Sequence, residues 1–386
     1  MDSEVVIVGA GLVGASLAIA LGRRGVSVAL IEPSPPATPT EDWDSRIYAI
    51  SPASQDFLSS LGVWQALDAQ RIQPVERMEI FGDRPGARLE FSAYETGVAR
   101  LATIAESGRL AHALWHAASA LDNVRVFGGA ICEKLAIDEH RATLTLLNGE
   151  ELGAQLVVGA DGAQSWVRRK AGFTARASGY NQLGVVANFA TARSHAATAF
   201  QWFRADGVLA YLPLPEDRMS MVWSTREDHG RELIALPPDA LARRVAEAGE
   251  GALGELALIT LPQAFPLQRL VASATVAPRV ALVGDAAHVV HPLAGQGVNL
   301  GFGDARVLAE VLASREPFRD YGDRRVLRRY ERGRTEAILA MRTVTDGLAT
   351  LFGLGGALPA QVRNLGLNLT DRFAVLKNLL VRYAIG

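Results

Sequence analysis

In the stretch Arg279 to Gly301, RVALVGDAAHVVHPLAGQGVNLG, an aspartate closes an apolar run and a glycine-rich loop follows. Val280 to Val283 has the length and composition of a short buried strand. Gly284-Asp285 ends it, and Pro292, Gly295 and Gly297 punctuate the loop. A helical pattern opens near Gln296 or Gly297. A carboxylate at a strand tip accepts hydrogen bonds from sugar or polyol hydroxyls. A helix start a few residues later offers free backbone N–H groups and the positive end of a dipole. Gly295 and Gly297 let a ligand come close to that backbone. The implied ligand is polyhydroxylated at one end and gains from a positive field at the other. A flavin fits: Asp285 meets the ribityl chain, and the helix start meets the pyrimidine edge, where the reduced ring carries negative charge.

Read alone, this stretch is also compatible with a plain strand–loop–helix turn and a surface aspartate. The N-terminus argues against that. Glu4 to Val8 is an apolar strand followed at once by Gly9-Ala10-Gly11-Leu12-Val13-Gly14. Ala15 to Arg24 continues as a helix that Gly25 ends, Val26 to Ile31 is a second strand, and Glu32 stands at its tip. This is the dinucleotide fingerprint in its full context. Gly9 makes the tight turn, Gly11 lets a pyrophosphate touch the backbone, and Gly14 lets helix and strand pack. Glu32 would take the ribose hydroxyls of an adenosine and disfavours a 2′-phosphate, so the site suits FAD or NAD(H) rather than NADP(H). A third strand tip stands in LVVGADGAQSWVRR, Leu156 to Arg169, with Asp161 beside Gly162. Three strand-tip sites in one chain are best explained if they converge on one extended cofactor. Arg46, in Asp44-Ser45-Arg46, could reach its sugar or pyrophosphate.

The elements that must position these groups follow from the rest of the chain. Pro33 to Trp43 is rich in Pro and Thr and reads as irregular. Pro52 to Leu61 and Ser107 to Leu121 read as helices, Val75 to Phe81 and Arg88 to Phe91 as strands, and Asn148-Gly149 as a hairpin turn. Between residues 180 and 270 the pattern alternates at Gly184 to Phe189, Ala199 to Phe203, Val208 to Leu212 and Met219 to Ser224, which predicts an antiparallel sheet. Pro213 and Pro215 are expected to break two of these runs. Trp202, Phe203, Tyr211 and Trp223 are candidates for a substrate floor, although core packing is the more ordinary role for any one of them. The helix after the loop runs to about Ala313, and residues 323–386 read as helical. Arg363, Arg372, Lys377 and Arg382 against a lone Asp371 make 363–386 a candidate membrane-surface segment; a helix packed on the cofactor domain is the alternative.

Composition narrows the function. The chain has 386 residues, 49% of them apolar, and a net charge of −2, which excludes disorder and argues against a nucleic-acid surface. The single cysteine, Cys132, excludes an internal disulfide and any multi-cysteine metal site, and nothing near it suggests activation. No metal site is expected. No uncharged apolar run reaches about 18 residues, and no charged leader precedes the first strand, so a cytoplasmic protein is expected, peripheral at most on the inner membrane surface.

In order, GAGLVG with Glu32, GADGAQSWVRR and VGDAAHVVHPLAGQGVNLG resemble the p-hydroxybenzoate-hydroxylase-like flavoprotein monooxygenases over nearly the whole chain. DSRIYAIS, YLPLPEDRMSMVWS, RRYERGR and TDGLATLFG are similar to the FAD-dependent hydroxylases of ubiquinone biosynthesis. The resemblance implies an α/β fold: a Rossmann-like FAD-binding domain (1–75, 98–175 and 272–320), an inserted antiparallel-sheet substrate domain (76–97 and 176–271) and a helical C-terminal region (321–386). It implies that Gly9, Gly11, Leu12, Val13, Gly14 and Glu32 hold the ADP half, and that Arg46, Asp161 and Asp285 contact FAD. Gly295, Gly297, Val298 and Asn299 would border the flavin ring. Ser107 stands where many relatives carry a basic or amide residue that touches FAD, and Arg109 lies two further on.

The implied reaction is aromatic hydroxylation. NADPH or NADH, visiting transiently, reduces FAD, and O2 then gives a flavin C4a-hydroperoxide that delivers one oxygen to a polyprenyl phenol. His291 and Pro292 are the candidates nearest the reacting centre, while His288 is expected to pack or cap. The same resemblance leaves a prenyl reductase or halogenase as an alternative, although the Trp-x-Trp stretch of those relatives is missing. A non-catalytic FAD-binding subunit of a ubiquinone-biosynthesis complex is the other.

Overall fold

A computed structural model describes residues 2–82, 87–290 and 297–353, with backbone only at 342 and 344–353. Five parallel strands form the heart of the first sheet, in the spatial order Val280–Leu282, Glu151–Gly159, Asp2–Val8, Val28–Glu32 and Val124–Gly128. The chain leaves Asp2–Val8 toward one neighbour and returns much later on its other side. That reversal opens a crevice at the carboxyl ends of the strands. The register levels those ends: Val8 stands opposite both Gly159 and Ile31, and Gly159 opposite Leu282.

Both faces of this sheet are covered, so its strands read as unbroken apolar runs rather than alternating ones. Helix Leu12–Gly22 packs on one face and is buried from Gly14 to Gly22. Helices Ser107–Ser119 and Gly297–Ala313 and the buried Val326, Leu327 and Tyr330 of helix Arg324–Gly353 join it in one core. The hairpin Ala142–Leu146 with Glu151–Gly159, and Val167 of the short helix Trp166–Lys170, cover the other face.

The second sheet has nine strands, mostly antiparallel. Its central run is Ala175–Thr191, Arg218–Arg226, Gly207–Leu214 and Thr198–Arg204, joined by Arg77–Phe81, which runs parallel to the last. Alternation sends Val185, Ala187, Met219 and Met221 onto helices Glu227–Ala235 and Pro238–Ala248, and leaves Val186, Asn188, Ser220 and Val222 on the opposite face. Neither helix is anticipated above, although Glu227 and Asp228 in one first turn and Pro238 at the start of the other are ordinary start signals.

One expectation is corrected here, and one choice between roles is decided. Pro213 does not break its run, because strand Gly207–Leu214 carries it through, opposite Met219. Trp202, Tyr211 and Trp223 take the core-packing role and do not line a floor. They are 3%, 1% and 1% exposed and point into the helix-covered core. Tyr211 donates its hydroxyl to the Val245 carbonyl of the second helix. Phe203, one residue on from Trp202, takes the opposite face.

A third sheet, unforeseen, joins the other two. Ala102–Glu106 is its centre, flanked by Ile47–Ile50 and Gln73–Val75. Ile47 and Ala49 pack with Leu212 and Leu214 of the second sheet, and Tyr48 and Ile50 pack toward the first. Among the described residues no helix is long and apolar enough to cross a membrane. The segment 363–386 lies outside the described residues.

Candidate cofactor site at the strand tips

The first loop is shaped by what its glycines exclude. Gly9 has φ +99°, and a Cβ there would sit 2.5 Å from the Ala160 carbonyl oxygen. A Cβ on Gly14 would lie 1.9 Å from the Gly9 carbonyl oxygen. A Cβ on Gly11 would meet nothing within 4 Å, so the middle of the loop faces open space. One glycine bends, one packs and one leaves room for a ligand to touch the backbone, the arrangement a pyrophosphate requires. Glu32 reaches this loop from the next strand and accepts from the Ala10 N–H at 2.7 Å and the Ser34 N–H at 3.0 Å.

The three motifs meet. Gly9 abuts Ala160 of the second, and Val13 packs against Gly284 and Gly301 of the third, where a Cβ on Gly301 would lie 2.5 Å from Val13 Cγ2. Arg168 donates to the Ala286 carbonyl at 2.8 Å and the Ala163 carbonyl at 2.7 Å, tying the second motif to the third. Asp161 is drawn into this frame: its Oδ2 accepts from the Trp166 and Val167 N–H groups at 2.6 and 3.0 Å, capping helix Trp166–Lys170. Its Oδ1 is buried without a partner among the described residues.

Asp285 stands on a single turn, Gly284–Ala286, at the tip of Val280–Leu282. Its carboxylate is open to solvent in the crevice, yet the surrounding protein raises its pKa; His288 and Arg46 pull the other way. Gly297 opens helix Gly297–Ala313, and a Cβ there would meet nothing within 4 Å. A hydroxyl-seeking carboxylate and an open helix start therefore share one crevice, which suits a flavin and its ribityl chain. Asn299 accepts from the Ser51 N–H at 3.0 Å and donates to the Ala49 carbonyl at 2.9 Å, so it braces strand Ile47–Ile50 against the helix start. Val298 packs against the core beside it. His291, Pro292 and Gly295 lie outside the described residues.

The loop carrying Arg46 is held by Glu106, which is 2% exposed. Glu106 accepts two bonds from Arg71 at 2.8 Å, one from Arg109 at 3.0 Å and one from the Asp44 N–H at 2.8 Å. Asn188 of the second sheet donates to the Asp44 carbonyl at 2.8 Å. Arg109 is thereby committed to Glu106 and the Thr40 carbonyl. Arg46 remains on the crevice surface, with its guanidinium near the rings of Tyr48 and Phe265.

Beneath Asp285 lies a buried charged network that the motifs do not announce. Asp304, fully buried, bonds His288 Nε2 and Arg334 Nε, each at 2.7 Å, and accepts from the Gly284 N–H at 2.9 Å. Burial opposes the charge on Asp304, but His288 and Arg334 hold its carboxyl below the usual range. Burial likewise opposes protonation of His288, and Asp304 outweighs it, so its pKa is raised. His288 is thus a packed, bonded side chain, as expected. An Asp and an Arg thirty residues apart on two helices (304 and 334) leave no local spacing that betrays this pairing. Cys132 is inert by its surroundings: burial first, and Asp161 second, push its thiol up to about 12.

Comparisons with known proteins agree with this geometry. Residues 2–345 match the FAD binding domain family. The 3-demethoxyubiquinol 3-hydroxylase of Escherichia coli (strain K12) is 38% identical over 396 residues, covering 100% of this chain and 98% of the relative. The mitochondrial ubiquinone biosynthesis monooxygenase COQ6 of Drosophila melanogaster is 32% identical, covering 99% of this chain and 90% of the relative. Among solved structures, PqsL of P. aeruginosa in complex with 2-aminobenzoylacetate superposes with a TM-score of 0.80 at 26% identity, covering 96% of this chain and 100% of that one. A glycine-lined crevice at three strand tips, in a chain this similar to such proteins, identifies it as an FAD-dependent oxidoreductase of the family of ubiquinone-biosynthesis hydroxylases.

Proposed function

We propose that this chain hydroxylates the ring of a polyprenylated phenol in ubiquinone biosynthesis, using FAD, NADPH or NADH, and O2. The observation that carries this reading is the convergence of Gly9–Gly14, Ala160 and Gly284–Asp285 on one crevice, together with relatives named for that chemistry. Bound FAD supplies the redox chemistry, storing electrons from the nicotinamide and activating O2 toward an electron-rich ring.

The chain's own residues bind and orient. Gly9, Gly11, Leu12, Val13, Gly14 and Glu32 take the ADP half. Arg46 and Asp285 take the linker, and Asp161 sets the second strand tip. Gly297, Val298 and Asn299 open the helix that would border the ring, with Gly295 assigned beside them on the resemblance alone, and the dipole of the helix at Gly297 favours negative charge there. His291 and Pro292 remain, on the resemblance alone, the candidates for a role near the reacting centre. We read the first sheet with its helices as the FAD domain, and the second sheet, with its Asn188 and Ser220 face, as the substrate side that excludes water. Asn188 supports this by joining the sheet to the Arg46 loop.

The basic, apolar segment 363–386 would hold the protein at the membrane surface, where such a phenol resides. A truncation lacking 364–386 that stays folded yet sediments with liposomes as before contradicts that part. For the reaction, nicotinamide oxidation is measured with a panel of polyprenyl phenols. One panel member is expected to accelerate oxidation at least about tenfold and to yield a product one oxygen heavier. No acceleration by any member would favour a reductase or a non-catalytic subunit.

A further inference from the structure

Tyr48 carries no role so far, yet it occupies a distinctive place. Strand Ile47–Ile50 pairs with Ala102–Glu106, with Tyr48 opposite Ala105. Alternation turns Ile47 and Ala49 toward the second sheet and Tyr48 toward the dinucleotide side. There its ring lies 5.6 Å from the Arg46 guanidinium, which also stands 5.8 Å from the Phe265 ring. Ser107, at the start of its helix, and Arg46 approach the phenol within hydrogen-bonding reach, and the phenol senses the charge of Asp285. Four elements thus bring Arg46, Tyr48, Ser107 and Asp285 around one spot. A cation, a carboxylate and two hydroxyls match a linker that is part polyol and part phosphate.

The neighbours narrow what else could serve there. Arg109, the cation of the helix that begins at Ser107, is committed to Glu106 and to the Thr40 carbonyl. Ser107 is short. The Tyr48 phenol, between Arg46 and Asp285, adds a longer hydroxyl reach on this side of the crevice. Burial, the largest influence, raises its pKa, so the phenol stays neutral at physiological pH and keeps an O–H to donate. A residue that only filled space here would do as well as phenylalanine.

We propose that Tyr48 is a cofactor-binding residue of this chain, its phenol O–H donating to the polyol–phosphate linker of FAD between Arg46 and Asp285. The inference deepens the cofactor reading above and rests on it.

The test is the affinity of the full-length apoprotein for FAD, read from flavin fluorescence quenching, in the wild type, Tyr48→Phe and Asp285→Ala. Tyr48→Phe keeps the ring and removes only the hydroxyl, so the apoprotein should melt where the wild type does. Its Kd for FAD should rise about fivefold, and the visible flavin spectrum of the loaded protein should shift. A Kd within twofold of wild type and an unchanged spectrum in Tyr48→Phe, with weakened binding in Asp285→Ala, overturns the assignment of Tyr48 alone. Unchanged binding in both overturns the placement of the cofactor as well. Should Tyr48→Phe fail to fold, Tyr48→Leu, which likewise removes the donor, supplies the second reading: an unchanged spectrum and Kd overturn the inference, and a rise in Kd supports it.

Discussion

The two large sheets use opposite surfaces. The parallel sheet is buried on both faces and carries its candidate site at its ends, where Gly9 abuts Ala160 and Val13 abuts Gly284. The antiparallel sheet packs one face on two helices, and the proposed substrate role falls to the other, where Asn188 and Ser220 are buried. In the first, the candidate site is built from backbone shape and the network beneath Asp285. In the second, the helix packing and the proposed substrate role lie on different sides of the same strands. Side chains on the helix-covered face should therefore affect stability without affecting cofactor affinity, whereas changes at the strand tips should affect both.

The largest effect is expected from Asp304→Ala, which leaves His288 and Arg334 buried beside an empty space. Losing one partner of such a group costs about 3–5 kcal/mol. Urea unfolding should register that loss, and FAD affinity should fall with it. Gly14→Ala comes next. Its Cβ would collide with the Gly9 carbonyl, so a loss of about 1–3 kcal/mol is expected with at least about tenfold weaker FAD binding, measured by titration. Normal binding in this variant would break the comparison.

A pH series sharpens it. The raised pKa of His288 means its contribution is full below its ordinary value near 6.5 and is lost as pH rises through the folded value. The lowered pKa of Asp304 means its contribution is present above about pH 4 and is lost as pH falls through the folded value. The urea midpoint of the wild type should thus decline as pH is raised from about 6 to 9, and His288→Gln should flatten that decline.

On the other sheet, Tyr211→Phe removes one buried hydrogen bond. It should cost about 1 kcal/mol and leave the Kd for FAD within twofold. The smallest effect concerns Cys132: its thiol, pushed up to about 12, should resist iodoacetamide at pH 8 in the folded protein, as intact mass would show.

What was legible in sequence follows the same divide. The strand-tip sites were readable because each is encoded locally, by an apolar run and the glycines that must follow it. The alternating strands were readable for the same reason, and Asn148-Gly149 marked its hairpin. The Asp304–His288–Arg334 network was not, since its members stand on separate elements with no fixed spacing. Nor was Glu106, whose partners Arg71 and Asp44 arrive from distant loops. Strand Ile47–Ile50 is four residues long and half-buried, too short to show a period, so the local pattern does not reveal the place of Tyr48. Pro213 misled because a proline in a strand usually marks a break, whereas this strand runs through it.

The most direct test of the central claim is the fate of oxygen. The purified protein, loaded with FAD and given a nicotinamide reductant, is incubated under 18-O2 with polyprenyl phenols that differ in ring substitution, and products are read by mass spectrometry. The account predicts that one phenol gains one labelled oxygen on its ring. A flavin that is reduced and reoxidised with only peroxide released, and no labelled product from any phenol, would contradict it.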